Sequence, residues 1–215
     1  MNKKLLVRIL ILLVGLIIAH LGVTLFLIAD LGSDPFNVLV QGLLHVMQKT
    51  PLESVLTHGR LHMAICFLII LVLLVVDRSY IKIGTIICMF CGGPIIDFFN
   101  MILGKPLGSI QSLPGKIVML ALGCVILAYG MTMVIKSEAG TGPNDLVAVV
   151  ISDKTHRKFS VVRILTDGVF VLLGFLLGGT VGIGTVICAF LVGPVAGVFL
   201  PVNEKLVAGI MKKIS

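Results

Sequence analysis

The sequence predicts an all-α integral membrane protein built from two homologous repeats of about 105 residues, and three observations carry this reading. Of its 215 residues, 58% are hydrophobic and only 13% are charged, with a mean hydropathy of +1.16; a soluble domain rarely has so little charge. The apolar stretches are long and lack period-two alternation, so they read as helices rather than as the strands of a membrane barrel. Finally, two motifs recur in the same order. Gly22-x-Thr24 followed by Asp30-Leu31-Gly32-Ser33-Asp34-Pro35-Phe36-Asn37 returns 108 residues later as Gly130-x-Thr132 and Glu138-Ala139-Gly140-Thr141-Gly142-Pro143-Asn144-Asp145. Ile83-Gly84-Thr85, Cys88, Phe90 and Gly93-Pro94 return 100 residues later as Ile183-Gly184-Thr185, Cys188, Phe190 and Gly193-Pro194. The two offsets differ by eight, one indel in a loop, which divides the chain into 1–108 and 109–215.

The apolar segments run over 5–29, 35–48, 60–77, 82–103, 116–136, 143–152, 161–178 and 181–200. The first follows Lys3, Lys4 and Arg8 as a secretory signal would, but it continues to Ala29 and ends in Asp30 rather than at a small-residue cleavage site. It therefore reads as a retained helix. The second and sixth begin at Pro35 and Pro143, the favoured residue at a helix start, after Gly32 and Gly140, which let the backbone turn. At ~1.5 Å per residue they span roughly 20 Å and 15 Å, short against a hydrocarbon core of about 30 Å. The third is uninterrupted, and the seventh carries Arg163 and Asp167. The fourth and eighth are Gly-rich around Gly84, Gly92, Gly93, Gly182, Gly184, Gly193 and Gly197, as close helix packing in lipid requires, and Pro94 and Pro194 predict a kink or hinge. The fifth opens the second repeat after the Gly/Pro/Ser-rich connector 108–115. Finally, 203–215 places Leu206, Val207, Ile210, Met211 and Ile214 opposite Lys205, Lys212 and Lys213, the pattern of an interfacial amphipathic helix.

Charge counting allows two topologies, both with cytoplasmic termini. Eight crossings give parallel repeats with fourteen Lys and Arg inside and three outside; six crossings plus two half-membrane helices give inverted repeats with thirteen inside and four outside. Segment length favours six. The net charge of +7 fits cationic loops meeting anionic lipid, and no basic cluster interleaved with aromatics suggests nucleic acid. The cysteines at 66, 88, 91, 124 and 188 lie in apolar segments and read as packing residues; Cys88 and Cys91 sit one helical turn apart but lack the further ligands a metal needs. No nucleotide-binding, hydrolase or metalloprotease motif is present, so the reading is of a non-enzyme with no catalytic residue, cofactor or metal.

Candidate binding residues centre on the duplicated element: Gly32, Ser33, Asp34, Asn37, Gly140, Thr141, Asn144 and Asp145. A Gly-Pro helix start presents unpaired N–H groups to an anion, while Asp34, Asn37, Asn144 and Asp145 suit a cation or a protonatable molecule. The alternative is a capped helix start, with Asn37 and Asp145 serving the first turn. Asp97, Arg163 and Asp167 are candidates for ion coupling, because an ionisable group at membrane depth is costly without a partner; Arg163 and Asp167, four apart on one helix face, can simply pair. His20, whose counterpart is Ala128, reads as a packing residue.

The chain resembles the YczE/YyaS/YitT family of bacterial integral membrane proteins, nearest its YczE branch. The carriers are Ala29 through Leu39, Gly140 through Asp145, Ser160-x-x-Arg163-x-x-x-Asp167, and Gly182 through Val186 leading to Gly193-Pro194. The extra C-terminal soluble domain of YitT proper is absent, and Phe36-Asn37 replaces the family's aromatic-plus-Asp after proline. The resemblance implies a bacterial inner-membrane protein and names no substrate. The expected function is a small transporter or substrate-binding membrane component, contacting the lipid bilayer and a small molecule or ion between the two Gly-Pro elements. The alternative is an accessory or assembly protein that binds a membrane partner, or a second copy of itself, through its Gly-rich faces.

Overall fold

The computed structural model describes residues 3–48 and 56–213. Lys49 and Ile214, used in the charge count and in the C-terminal pattern, lie outside the described residues. Eight α-helices and no strand occur among the described residues: α1 (Lys3–Ala29), α2 (Pro35–Met47), α3 (His58–Asp77), α4 (Ile83–Gly108), α5 (Leu113–Lys136), α6 (Pro143–Thr155), α7 (Phe159–Leu176) and α8 (Ile183–Lys212). Six of them, α1, α3, α4, α5, α7 and α8, are long and apolar enough to cross a membrane. The other two, α2 and α6, have 13 residues each. Both short helices start where the sequence places a proline; α6 extends three residues beyond its apolar run because Asp153, Lys154 and Thr155 continue the helix as an exposed polar turn.

The long helices carry large exposed apolar side chains such as Phe67, Val75, Phe90, Leu165 and Phe175, as expected of surfaces in contact with lipid. The centre is α1 packed against α5. A Cβ at Gly22 would meet Leu127 and the Gly123 carbonyl, and one at Gly15 would meet the Gly130 carbonyl and Val134. Rising numbers on α1 meet falling numbers on α5, so the two helices are antiparallel. This explains the Gly-x-Thr motif. Gly22 and Gly130 let the backbones touch, and the Thr24 and Thr132 hydroxyls donate to the His20 and Ala128 carbonyls one turn back, both at 2.9 Å, which removes a polar group from the interface.

Contacts at the helix ends sort them onto two faces. Arg8 pairs with Glu138, Lys136 with Glu204 and Lys154 with Asp77. One face therefore holds the start of α1 and the ends of α3, α5, α6 and α8. The start of α4 joins it, because Gly84 N–H donates to the Ala139 carbonyl at 2.9 Å. At the opposite face, Gly184 N–H donates to the Leu31 carbonyl at 2.8 Å, which ties the start of α8 to the end of α1. The short helices end at opposite faces, α2 beside Gly178 and α6 beside Asp77, and both point their N-termini inward.

Residues 203–212 correct the sequence expectation of a separate amphipathic helix. They are the last three turns of α8, which runs unbroken through Pro194 and Pro201. Asn203 is fully buried, its amide donating to the Thr132 hydroxyl at 2.7 Å and the Tyr129 carbonyl at 3.0 Å, and Val207 packs against Ile11 and Met133. Tertiary contacts thus hold the face that the periodicity assigned to lipid. Three glycines of α4 are consumed internally as well: Gly93 abuts Gly59 of α3, Gly84 abuts Leu12 and Ala139, and Gly92 faces His20 and His62, whereas Gly104 and Gly108 face open space.

Candidate functional site

The two Gly-Pro elements share an unusual backbone. Asp30 and Glu138 adopt φ of +50° and +57°, and Gly32 and Gly140 adopt +108° and +149°. A side chain at Gly32 would approach Thr185 Oγ1 to 2.5 Å, and one at Gly140 would run into the Thr85 amide, so both positions demand glycine for space and for conformation. Each turn is clamped by the first turn of a long helix. The Thr85 hydroxyl accepts from Lys82 N–H at 3.4 Å and the Thr185 hydroxyl from Gly182 N–H at 3.3 Å, and both threonines are buried.

Beyond these turns the N-termini of α2 and α6 reach one small enclosed cavity of about 40 Å³. That is room for a few water molecules, given ~10–15 Å³ per water by this measure. Its polar wall consists of His20, Asp34, Asn37, His62, Asp145 and Arg163, with Asn144 beside them. Leu16, Val23, Phe36, Leu127, Met131 and Val134 close the rest.

On the α2 side, Asp34 caps the helix. Asn37 N–H donates to Asp34 Oδ1 at 3.4 Å and the Asn37 amide donates to Asp34 Oδ2 at 2.6 Å. His58 Nε2 then meets Asn37 Oδ1 at 2.6 Å, and since an amide oxygen only accepts, the ring donates. Asp34 and Asn37 are 4% and 1% exposed. On the α6 side, the N-cap is Gly142 with no side-chain hydrogen bond. Asp145 instead turns to Arg163, whose Nε also donates to Asp167 at 2.9 Å and whose Nη1 contacts Met131 Sδ at 3.7 Å. Arg163 is 4% exposed and Asp167 1%. Two carboxylates, Asp145 and Asp167, thus hold one guanidinium, Asp34 shares the cavity wall with it, and Asp167 Oδ1 is buried without a hydrogen bond.

The sequence candidates divide. Asp34, Asn37, Asn144 and Asp145 share the cavity wall. The Arg163–Asp167 pair forms as its spacing predicts, but it captures Asp145 too, so Arg163 is a core residue rather than one of the inside loop charges counted above. Ser33 and Thr141 are buried but do not line the cavity: the Ser33 hydroxyl accepts from Gln41 at 2.8 Å, and Thr141 faces a separate polar cleft with Lys82, Glu138 and Asp153. Gly32 and Gly140 shape the turns without facing it. Asp97 stands apart. It is partly buried beside Gly59 and accepts from the Thr57 hydroxyl at 3.3 Å, with no tie to Arg163. His20, read as packing, lies on the wall, as does His62, and His58 joins through Asn37; the last two attract no notice in sequence because they open an ordinary-looking apolar helix. The cysteines are free, and all but Cys91 are buried.

A family model described as "Family of unknown function (DUF6198)" matches residues 6–201. Two Bacillus subtilis (strain 168) proteins are similar: an uncharacterized membrane protein, YczE, is 30% identical over 89% of this chain and 85% of its own length, and an uncharacterized protein, YyaS, is 25% identical over 89% and 92%. An uncharacterized protein of Haemophilus influenzae is 30% identical over 91% of this chain and 84% of its own length. No solved structure shows significant similarity. The match spans the Gly-Pro elements, the buried Arg163–Asp167 pair and the long helices alike, so the chain belongs to the YczE-like DUF6198 family of multi-pass membrane proteins.

Proposed function

We propose that this chain is a small secondary transporter, or the substrate-binding membrane component of one, with the central cavity as its site. The observation that carries the reading is the convergence of two interrupted helices on one small polar cavity whose wall carries two carboxylates, Asp34 and Asp145, against one guanidinium, that of Arg163, which is also paired with the buried Asp167. Irregular backbone at membrane depth is tolerated where it lines a cavity, and paired helix breaks in two halves are how secondary transporters build a midplane site. The excess negative charge selects a cation, since burying uncompensated charge is costly. At about 40 Å³ the closed cavity holds only water-sized occupants, so a larger cargo enters by opening one end.

The halves 1–108 and 109–215 are read as inverted repeats. The antiparallel α1–α5 pair supports this, as do the mirrored bonds from Gly84 to Ala139 and from Gly184 to Leu31. Six crossings put Lys3, Lys4, Arg8, Arg78, Lys82, Lys136, Lys154, Arg157, Lys158, Lys205, Lys212 and Lys213 on one side and Lys49, Arg60, Lys105 and Lys116 on the other, which makes the termini cytoplasmic in a bacterial inner membrane. Under this topology, a membrane-impermeant thiol reagent applied outside labels Lys49→Cys and spares Arg78→Cys; the reverse result rejects it.

The alternative, docking of a membrane partner on Gly-rich faces, has less support, because Gly84, Gly92, Gly93 and Gly184 are spent on contacts within the chain. The deciding experiment uses methylammonium and guanidinium as small cationic probes. Purified protein is expected to melt later with one of them and to carry it into proteoliposomes, and Asn37→Ala and Asp145→Asn to lose both effects while staying folded. If neither probe acts on the native chain and both variants only lower the melting temperature, the helix-capping account replaces this one.

A further inference from the structure

Around the cavity the two halves offer the same place to different residues. A Cβ at Gly93 would strike the Gly59 carbonyl, and one at Gly193 would lie 3.6 Å from the Ser160 carbonyl. His62 stands three residues after Gly59, and Arg163 three residues after Ser160. Both side chains are buried, and both line the cavity. So α3 presents an imidazole where α7 presents a guanidinium, and the imidazole has a neutral state that the guanidinium lacks.

The surroundings of His62 are made for one proton. Its Nδ1 is buried with no hydrogen-bond partner. Its ring lies edge-on to His20, with centroids 5.8 Å apart, and edge-on to Phe36 at 5.1 Å. His20 Nδ1 contacts the Leu16 carbonyl at 2.8 Å, so that nitrogen carries the hydrogen and Nε2 holds a lone pair. Both Nε2 atoms face Gly92, where a Cβ would sit 2.9 Å from His20 Nε2 and 3.3 Å from His62 Nε2. The ionisable groups around the pair are Cys88 of α4, Asp34 at the start of α2, His58 and Cys66 of α3, Asp145 of α6, and Arg163 with Asp167 of α7; α5 contributes only Leu127, Met131 and Val134 to the wall. The carboxylates in that set outnumber the one permanent cation.

We propose that His20 and His62 together bind a single proton inside the cavity, and that it supplies on the α3 side the positive charge that Arg163 supplies on the α7 side. A hydronium ion arriving from the aqueous phase loses one O–H bond, the His62 lone pair gains one N–H bond, and His20 Nε2 accepts from the charged ring directly or through a cavity water. A second proton would place two cations edge to edge, so the pair takes one. A proton there and a cationic cargo offset the same excess negative charge and therefore exclude each other, which makes the proton a counter-ion exchanged for cargo. The inference rests on the cavity being a working site, but its test needs no organic cargo and fails independently of the uptake experiment.

The test is imidazole ¹⁵N NMR of the full chain in detergent across pH 4–10. His45 and His156 are exposed and are identified by broadening with a soluble paramagnetic agent. The expected result is that His20 and His62 move together at one midpoint, with uptake of one proton for the pair and the His20 Nδ1–H tautomer kept. His62→Gln removes that proton and leaves His20 neutral throughout; His62→Arg also leaves His20 neutral. Gly92→Ala, which pushes a methyl between the rings and leaves both histidines in the sequence, splits the shared transition into two and serves where His62→Gln does not fold. The proposal is overturned if each native ring takes its own proton, if neither ring takes one in that range, or if His20 titrates unchanged in the folded variants.

Discussion

The turns at 30–37 and 138–145 have nearly the same backbone and opposite chemistry. Both pass through a left-handed acidic residue and a glycine of positive φ, and both lend a carbonyl to the first turn of a long helix, Leu31 to Gly184 and Ala139 to Gly84. The side chains then part. Asp34 caps its helix and holds Asn37, which leads to His58, whereas Gly142 caps nothing and Asp145 is drawn into an ion pair with Arg163. The backbone match belongs to the fold, since each turn seats a helix end against its neighbour. The side-chain difference belongs to the candidate site, since it puts a capping carboxylate, an amide and an imidazole on one side of the cavity and an ion pair on the other.

Four sets of substitutions test that division. The largest effect is expected for Arg163→Met, which leaves Asp145 and Asp167 buried without a cation; breaking one side of a buried pair costs about 3–5 kcal/mol, so little folded protein should survive in detergent. Adding Asp145→Asn and Asp167→Asn to it should restore much of the loss, and no restoration would mean that Arg163 acts through packing alone. Next come Gly32→Ala and Gly140→Ala, each expected to cost more than about 1 kcal/mol because a Cβ meets both a strained φ and a neighbouring helix. Equal losses of melting temperature in the two would support a shared structural role, while a silent Gly140→Ala would break the symmetry. Asp34→Ala should cost roughly 1 kcal/mol as a lost side-chain cap, and Gly142→Ala should cost less than that, because it removes a favoured N-cap residue but no side-chain hydrogen bond. Smallest is Glu138→Gln, which removes an exposed pair with Arg8 and should change stability by less than about 1 kcal/mol, further reduced by salt.

Much of the fold was legible before any coordinates. Length and hydropathy mark the six long helices, and Pro35 and Pro143 mark the starts of the two short ones, because proline at a first turn and twenty-odd apolar residues each have one economical structural meaning. The Arg163–Asp167 pair followed from spacing alone. Local patterns failed where a distant surface decides burial. The Leu206–Met211 face suggested a helix lying on lipid, but α1 and α5 cover Val207 and Asn203. Ser33 and Thr141 belonged to the right motif but turned to Gln41 and to an outer cleft.

The candidate site was half visible. Asp34, Asn37, Asn144 and Asp145 stood out because their motif is duplicated, and duplication can be read along the chain. His20, His58 and His62 have no counterpart histidines to flag them, and they come from α1 and α3, more than forty positions apart at the extremes. By itself, then, the sequence determined a helical membrane protein with two interrupted helices, since hydropathy and backbone permissiveness act over a few turns. Which imidazoles and carboxylates share one cavity was decided only in the tertiary structure, because charge and hydrogen-bond partners are matched through space by helix packing.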